Sequence, residues 1–392
     1  MSEKGTDKAA MKNGDANPVP AGSAPDLERR QFITHATATA TAAGAATLGF
    51  PMIARAAAPI TLKFQTTWLV DDIFYEYARD YGRIVNAMSG GRLRLSVLPA
   101  GAVAGSLHMQ EAVNSGALDG GHGVAAWYDK NKAYLLFGSP PAFGWDANTM
   151  LGWMKYGGGQ ALYDELLQKI LKFNLVGFIT GPMPSQPLGW FKKEVKSVGD
   201  LKNIRYRTAG LAAEMMREMG VNAVAMGSAE VVPAMKRGAL DAAEFNNPST
   251  DRALGFPEVA KTYMLRSYHQ SAECCEILFN KTKYQSLPKE LQMILRYAAE
   301  AQSSDMAWKA MDRYSRDLQA LETQWGVKVA ETPEPILKAQ LEAWDKVIAR
   351  LSKDPFFARV IESQKAWSKR VVGFQLRNDP SRKLAYDHFF TT

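Results

Sequence analysis

Two stretches of similar sequence decide the fold: Ser106–Gly120 reads SLHMQEAVNSGALDG, and Ser228–Ala242 reads SAEVVPAMKRGALDA. In each stretch, a serine stands ten residues before a Gly-Ala-Leu-Asp sequence. Serine is suited to capping the start of a helix, and glycine can adopt the left-handed conformation that ends one. Recurrence by accident is the alternative, since all four residues are common, but the matched serine argues against it. The repeat therefore predicts two similar units, each with a helix that leads into a short strand.

The sequence around the first copy predicts a parallel sheet. An alternating strand starts at Ile60 and ends in Trp68, a helix follows over 72–88, and a second alternating strand covers Arg92–Leu98. Strand, helix, strand is the opening of an α/β domain with a parallel sheet. Ligands of such sheets bind beyond the carboxyl ends of the strands, which here are Gly121-His122-Gly123 and Ala243–Asn247. If the two units face each other, both ends line one cleft.

The predicted fold class is α/β, with two lobes, a hinge between them and long C-terminal helices. The chain after Asp241 crosses back through Tyr263–Asn280, and from Pro288 it is mostly helical, with a last amphipathic helix over 354–374. The predicted domains are lobe I over 59–180, lobe II over 181–265, a hinge return with helices that complete both lobes over 266–352, and a C-terminal helix over 353–392.

The first 58 residues have the features of an export signal. Arg29-Arg30 is followed by Phe32, then by a weakly apolar stretch rich in alanine and threonine, and small residues close it at Ala54–Ala58. A charged region, a short apolar region and an Ala-x-Ala exit are typical of a secretory signal, and the paired arginines indicate the twin-arginine route. As a membrane anchor the stretch is short, because a span needs about 20 apolar residues. The sequence predicts a protein exported to the periplasm.

Composition excludes several other classes of protein. The two cysteines, Cys274 and Cys275, are adjacent, so a disulfide framework or a multi-cysteine metal site cannot form. The net charge of +7 comes from 47 basic and 40 acidic residues that are interleaved, which indicates a solvated surface rather than a nucleic-acid partner. Gly157-Gly158-Gly159 lacks the strand-to-helix context of a phosphate loop. Local signatures of a hydrolase or a zinc enzyme are missing too.

Polar residues at the predicted lobe tips suggest binding. Arg207 lies on a strand that leads to Thr208-Ala209-Gly210, and its planar guanidinium can bind both oxygens of a carboxylate. A surface arginine is the alternative interpretation. Glu244 follows a short apolar strand, where a charge needs a cation or a donor. Trp68 and the pair Trp127-Tyr128 are candidate aromatic residues of the cleft, with ordinary core packing as the alternative.

Taken in order and spacing, these features resemble the solute-binding proteins of tripartite ATP-independent periplasmic (TRAP) transporters. The motifs are the export signal, the recurrent Gly-x-Leu-Asp, Gly181-Pro182 before Gln186, Gly189-Trp190-Phe191, and Lys202-x-x-Arg205-x-Arg207-Thr208-x-Gly210. The resemblance covers essentially the whole mature chain. The branch it is most similar to binds 2-oxo acids and other organic carboxylates, with relatives for mannitol or chloroaromatic compounds.

The resemblance implies roles for particular residues. Arg207 would form the salt bridge with the ligand carboxylate, and a sodium or calcium ion would sit beside the ligand, with no organic cofactor. A glutamate of the branch falls where this chain has Gln270, and Asn246-Asn247 replaces a Val-Gly-like pair, which suggests a ligand other than pyruvate. The implied metal ligands are Gln186, Glu244, the backbone of Phe245, and Gln270. The implied ligand contacts are Arg207, Gln186, Trp68, Tyr128, Phe245, Asn247 and Gln270.

The function that follows is capture and delivery of a small organic monocarboxylate to a membrane permease. In the resembling branch a C-terminal helix is exchanged between subunits, so a homodimer is implied. One alternative is an exported hydrolase or lyase that uses Glu244 or His122 as general base. Another is a sensor that presents its loaded ligand to a membrane receptor.

Overall fold

Two β-sheets organise the chain, and the computed structural model describes residues 58–128 and 130–391. The first sheet has the strand order β2-β1-β3-β10-β4, and the second has the order β11-β9-β5-β8-β6-β7. The strands of the first sheet are β1 (Ile60–Thr66), β2 (Leu93–Leu98), β3 (Gly120–Gly123), β4 (Leu175–Met183) and β10 (Glu273–Asn280). Those of the second sheet are β5 (Gly189–Phe191), β6 (Arg205–Arg207), β7 (Asn222–Val224), β8 (Ala242–Ala243), β9 (Thr262–Leu265) and β11 (Lys328–Glu331).

Five strands of each sheet share one topology. In the first sheet β1 pairs in parallel with β2 and β3, and β10 pairs antiparallel with β3 and β4. In the second sheet β6 pairs in parallel with β7 and β8, and β5 pairs antiparallel with β8 and β9. Strand β1 therefore corresponds to β6, and β3 corresponds to β8. The α/β class with two related halves, predicted from the sequence repeat, is confirmed.

Helices cover both sheets. Those of the first part of the chain are α1 (Ile73–Met88), α2 (Met109–Ser115), α3 (Lys132–Leu135), α4 (Ala147–Tyr156), α5 (Gly159–Glu165), α6 (Val198–Leu201), α7 (Gly210–Glu218), α8 (Ser228–Lys236), α9 (Pro248–Ala253) and α10 (Phe256–Val259). The later ones are α11 (Lys281–Ser286), α12 (Lys289–Thr323), α13 (Glu334–Leu351), α14 (Pro355–Asn378) and α15 (Arg382–Phe390). The long C-terminal helices predicted from position 288 onward are present.

Each repeated unit ends its helix as the sequence predicted but begins it differently. Gly116 and Gly238 have φ angles of 84° and 76°, in the left-handed region that glycine tolerates. The predicted serine caps are wrong. Ser106 starts a 3₁₀ turn, and Ser228 is the first residue of α8, whose N-cap is Gly227. Neither serine accepts a capping hydrogen bond from a backbone N–H of its helix, because each already lies inside the helical turn.

Helix α12 links the two sheets. Its Leu295 packs in the core beneath the first sheet with Phe64 and Tyr81, while its Leu321 packs in the core of the second sheet with Trp190. The chain passes between the sheets twice more, in residues 184–188 and 266–272, between strands β4 and β5 and between β9 and β10. Connecting segments of this kind can absorb the changes in φ and ψ that a hinge motion between two lobes needs.

The export signal predicted over 1–58 falls outside the described residues except for Ala58. Between residues 58 and 391, none of the described helices has the length and hydropathy of a membrane span. Cys274 and Cys275 are both free and fully buried in β10.

Candidate functional site

Arg207 is buried where β6 ends. Strand β6 lies between β7 and β8, and Arg207 at its end is only 2% exposed, whereas Arg205 at its start is exposed. The Nη1 atom of Arg207 donates to the carbonyl oxygen of Glu244 at 2.9 Å and to its Oε1 at 3.2 Å. Nε and Nη2 both donate to the carbonyl oxygen of Met226 at 3.2 Å. The alternative of a surface arginine is therefore excluded.

One N–H of Nη2 has no hydrogen-bond acceptor among the described residues, and a cavity reaches this guanidinium. The cavity has a volume of about 130 Å³ and is lined by Leu107, Trp127 and Met226, among others. A guanidinium that keeps donors free next to a cavity can bind an anion.

Glu244 follows β8 and is also buried, next to Arg207. Its Oε2 has no hydrogen-bond partner. Burial raises the pKa of Glu244 to about 7, although the neighbouring Arg207 charge opposes the shift. The Glu244 carboxyl thus keeps one oxygen available in a dry environment.

The segments that join the sheets, together with the first residue of β10, bring three more polar side chains to this place. The backbone N–H of Gln186 donates to the carbonyl oxygen of Gln270 at 3.1 Å. The side-chain amide of Gln186 donates to the Glu273 carboxylate. The Oε1 atoms of Gln186 and Gln270 are buried without partners. Burial raises the pKa of Glu273 to about 8, and the nearby charge of Glu244 adds to the shift.

Sequence reasoning missed Glu273. It sought the acidic partner of Gln186 and Glu244 at position 270, where this chain has glutamine, whereas the structure has a glutamate three residues further on. A signal was present: Glu273 opens a strand whose eight residues are all buried. A charged side chain in such a buried strand needs a cation or a hydrogen-bond donor as its partner, as was argued for Glu244.

Aromatic rings connect the two lobes near Arg207. The ring centroids of Trp68 and Trp127 are 5.2 Å apart, those of Trp127 and Phe245 are 6.4 Å apart, and Cζ of Arg207 lies 4.9 Å from the centroid of Phe245. Trp68 and Phe245 are thus close to the site, as expected from the sequence. The Phe245 ring also makes a cation–π contact with Arg207.

The structure corrects two sequence-based assignments. Tyr128 is not one of the aromatic residues near Arg207, because its ring packs on those of Tyr134 and Phe173. The ring of its neighbour Trp127 instead contacts Trp68 and Phe245. Asn247 caps α9: its Oδ1 accepts from the N–H groups of Ser249 and Thr250, so that oxygen is not free for a ligand.

The arrangement favours binding over catalysis. Indole Nε1 of Trp68 donates to Nδ1 of His122 at 2.9 Å, and burial lowers the pKa of His122 to about 3. His122 is therefore held neutral with Nδ1 occupied, and Glu244 is paired with Arg207 through Oε1. The hydrogen bonds of the described residues place neither candidate general base against a side chain that it could activate as a nucleophile. A buried guanidinium, two carboxyls and unpartnered amide oxygens instead suit an anion and a cation bound together.

Fold and site define a two-lobed receptor for a small solute. Residues 64–354 match the model of the bacterial extracellular solute-binding proteins, family 7, and the chain belongs to that family. This is the TRAP class of periplasmic receptors, which bind solutes for transport rather than transform them. The resemblance stated from the sequence is confirmed, and the alternative of an exported enzyme is not supported.

Known proteins resemble the chain over most of its length. It is 31% identical to a monocarboxylate 2-oxoacid-binding periplasmic protein of Nostoc sp. over 80% of this chain and 84% of the relative. A TRAP transporter solute-binding protein of Bordetella bronchiseptica has a TM-score of 0.78 at 26% identity, covering 84% of this chain and 97% of that one. That structure is a mixed-occupancy dimer with calcium and picolinate in one site and an apo second site. A protein of Pseudoalteromonas atlantica with sodium and pyruvate has a TM-score of 0.78 at 28% identity, covering 85% and 99%.

Proposed function

We propose that this protein captures a small organic monocarboxylate, such as a 2-oxo, hydroxy or aromatic acid, at Arg207 and delivers it to a TRAP permease. The observation that carries the proposal is the buried guanidinium with an N–H to spare, next to a cavity and between the tips of two sheets. A charge-assisted hydrogen bond from such a group is about twice as strong as a neutral one. That difference favours a carboxylate over its neutral amide or ester.

The site also suits a hard cation bound beside the carboxylate. Among the described residues, no group of three or more His, Cys, Asp and Glu side chains could hold a metal ion. The oxygens available here come from two carboxyls and from amides, and three of them have no partner: Oε1 of Gln186, Oε2 of Glu244 and Oε1 of Gln270. Oxygen donors of this kind suit calcium or sodium, the ions of the similar structures.

Four residues would hold the cation: Gln186, Glu244 and Glu273 through side-chain oxygens, and Phe245 through its carbonyl. Gln270, whose side-chain oxygen is buried beside Gln186, is the fifth candidate. A bound cation supplies positive charge to which a ligand carboxylate or 2-oxo oxygen can bind. The chain's own residues do the rest: Arg207 orients the carboxylate, and the rings of Trp68, Trp127 and Phe245 exclude water.

Native mass spectrometry of freshly purified protein tests this function. We expect the mass of the mature chain plus one calcium or sodium ion and one small carboxylic acid, since a ligand buried between lobes dissociates slowly. A control incubated with excess pyruvate, the ligand of a similar structure and used here as a probe rather than as the expected natural ligand, should exchange the acid for pyruvate without consuming it. Turnover of the added acid, or a stoichiometric ligand that is not an acid, would contradict the proposal.

Delivery completes the proposed function. The paired arginines at 29–30 support export of the folded protein to the periplasm by the twin-arginine route. The ligand then shifts the equilibrium between open and closed lobes, and the closed form docks on the permease. The lobe boundaries that we propose, near 180 and 265, would put Arg207 and Glu244 in lobe II. A membrane sensor could read the same closed form, and loss of uptake on deletion of the permease genes would distinguish the two.

The C-terminal end supports a homodimer. Six large apolar side chains after the last buried turn of α14 are exposed, of which Leu376 is 80% and Phe389 72% exposed. Isolated exposed apolar residues are ordinary, but a cluster of this kind marks a contact surface. The related Bordetella structure is a dimer, and we propose that a second copy of this chain covers the cluster. Its members are Phe374, Leu376, Leu384, Tyr386, Phe389 and Phe390.

The double substitution Phe389→Asp and Phe390→Asp is expected to convert the dimer to a monomer, because two charges would have to be buried at the contact. Light scattering measures the change directly as a halved mass. The control is Tyr156→Asp, which alters an equally exposed aromatic residue on α4. Wild-type protein that is already monomeric at high concentration would contradict the dimer, as would a double variant that stays dimeric.

A further inference from the structure

A close backbone contact joins the two lobes at Gly210. Helix α7 begins at Gly210 directly after β6, and Ala126 lies in the 3₁₀ turn that follows β3. Gly210 has a φ of +59°, and a Cβ atom built on it would lie 2.5 Å from the carbonyl oxygen of Ala126. Any other residue at 210 would have to push the two lobes apart, because the obstacle is backbone and cannot rotate away.

A buried hydrogen bond joins the lobes at a second place. Oγ1 of Thr250, in α9, donates to Oδ1 of Asp72 at 3.1 Å, and both residues are buried. Asp72 also caps α1 by accepting from the N–H of Phe74. Nδ2 of Asn247 in turn donates to Oγ1 of Thr250 at 3.2 Å. The bond therefore connects the cap of a lobe I helix to the segment that follows Glu244 and Phe245.

The internal repeat relates these two contacts. Ala126 follows β3 and Gly210 follows β6, while Asp72 follows β1 and Thr250 follows β8. Strand β1 corresponds to β6, and β3 corresponds to β8. The two contacts are therefore equivalent under the repeat: one joins the end of β6 to the end of β3, and the other joins the end of β1 to the end of β8. Both can exist only when the carboxyl ends of the two parallel strand sets meet.

We propose that Gly210 and Thr250 are positioning residues that hold the lobes closed over the bound ligand. The proposal rests on the proposed function, since it concerns closure around the same site. Gly210 is three residues from Arg207, so the close approach to Ala126 fixes where the guanidinium sits in the cleft. In the closed form the hydroxyl of Thr250 donates to the Asp72 carboxyl. Without this donor, the buried Asp72 carboxyl would have one hydrogen bond fewer.

Stopped-flow binding of pyruvate in the presence of calcium tests the proposal, followed by tryptophan fluorescence. Thr250→Val is expected to raise the dissociation rate constant about tenfold or more, the effect of losing one buried hydrogen bond to a carboxyl group. Gly210→Ala is expected to have an effect of at least this size, because its Cβ atom would clash with the carbonyl oxygen of Ala126 in the closed form. The association rate constant should change by less than about threefold, because the open form captures the ligand first. The melting temperature of the ligand-free protein should stay near the wild-type value in Thr250→Val.

Matched variants separate closure from backbone strain and from lost packing. Gly238→Ala places an alanine at a φ of +76° with nothing within 4 Å of its Cβ, so it adds similar strain without a clash. Thr250→Ser keeps the hydroxyl. Both controls should release pyruvate at the wild-type rate. If Gly238→Ala accelerates release as much as Gly210→Ala does, backbone strain explains the effect and the proposed closure contact at 210 is wrong.

A distance measurement decides the question even if pyruvate is not the ligand. Met88 on α1 and Glu230 on α8 are both exposed. The distance between spin labels at these two positions, measured by double electron–electron resonance, reports the separation of the lobes. In ligand-free protein, Gly210→Ala and Thr250→Val should lower the fraction of short distances relative to wild type and to Gly238→Ala. Distributions identical in all four proteins would overturn the inference. Wild type that fails to bind any monocarboxylate would instead count against the proposed function alone.

Discussion

Replacing Arg207 by alanine is expected to weaken pyruvate binding in calcium by at least about thirtyfold. Truncating one partner of a buried, hydrogen-bonded charge pair costs about 2–5 kcal/mol, which corresponds to roughly thirtyfold to several thousandfold in affinity. The Arg207 guanidinium is 2% exposed, so water cannot replace it at the ligand. Isothermal titration calorimetry measures the change.

Arg205→Ala is the matched control for this experiment. Arg205 lies two residues earlier on the same strand, but its side chain is exposed and pairs with Asp241 at 2.7 Å. Exposed pairs contribute at most about 1 kcal/mol, so this variant should bind pyruvate as wild type does. Glu244 is already shifted to a pKa of about 7, and without Arg207 it can take up a proton, so the variant should fold. Equal affinity in Arg207→Ala and wild type would remove Arg207 from the account.

Glu273→Gln is expected to abolish calcium binding and, with it, most of the affinity for pyruvate. The substitution keeps the size of the side chain and its bond to Gln186 but removes one of the two carboxylate charges at the site. Calcium binds most tightly where charged oxygens accumulate. In wild type, calcium should raise the melting temperature, because a ligand that binds only the folded state stabilises it. In Glu273→Gln the calcium-dependent rise should vanish.

The control for Glu273→Gln lies on the same strand. Glu276 is equally buried in β10, but its carboxylate accepts from the hydroxyls of Tyr134, at 2.6 Å, and of Tyr163, away from Gln186. Glutamine can accept the same hydrogen bonds, so Glu276→Gln should keep the calcium effect. If both variants respond to calcium as wild type does, Glu273 is not a ligand of the cation. If Gln270→Ala removes the response to calcium and Glu273→Gln does not, Gln270 rather than Glu273 is a ligand of the cation.

The parts of the fold that depend on local sequence could be predicted. The left-handed glycines Gly116 and Gly238, and the short strands after them, follow from patterns a dozen residues long. Arg207 could be selected because its strand and the following Thr-x-Gly fix where it sits. The helix starts were wrong because a serine near the right place does not fix which residue takes the cap.

What could not be predicted depends on contacts between distant segments. Gln186 and Glu273 are 87 positions apart and meet only because two crossing segments run side by side between the sheets. The choice between Trp127 and Tyr128 depends on how a 3₁₀ turn is oriented on the core, which no spacing in the sequence records. The role of Gly210 in the contact between lobes was equally hidden, since the carbonyl it approaches belongs to residue 126.

The most direct test of the account is a calorimetric titration of pyruvate into wild-type protein stripped of metal, repeated after addition of calcium. The account predicts one pyruvate bound per chain with calcium present and much weaker binding in the stripped protein. Binding of equal affinity with and without the cation would contradict a site in which Arg207 and a metal share one carboxylate.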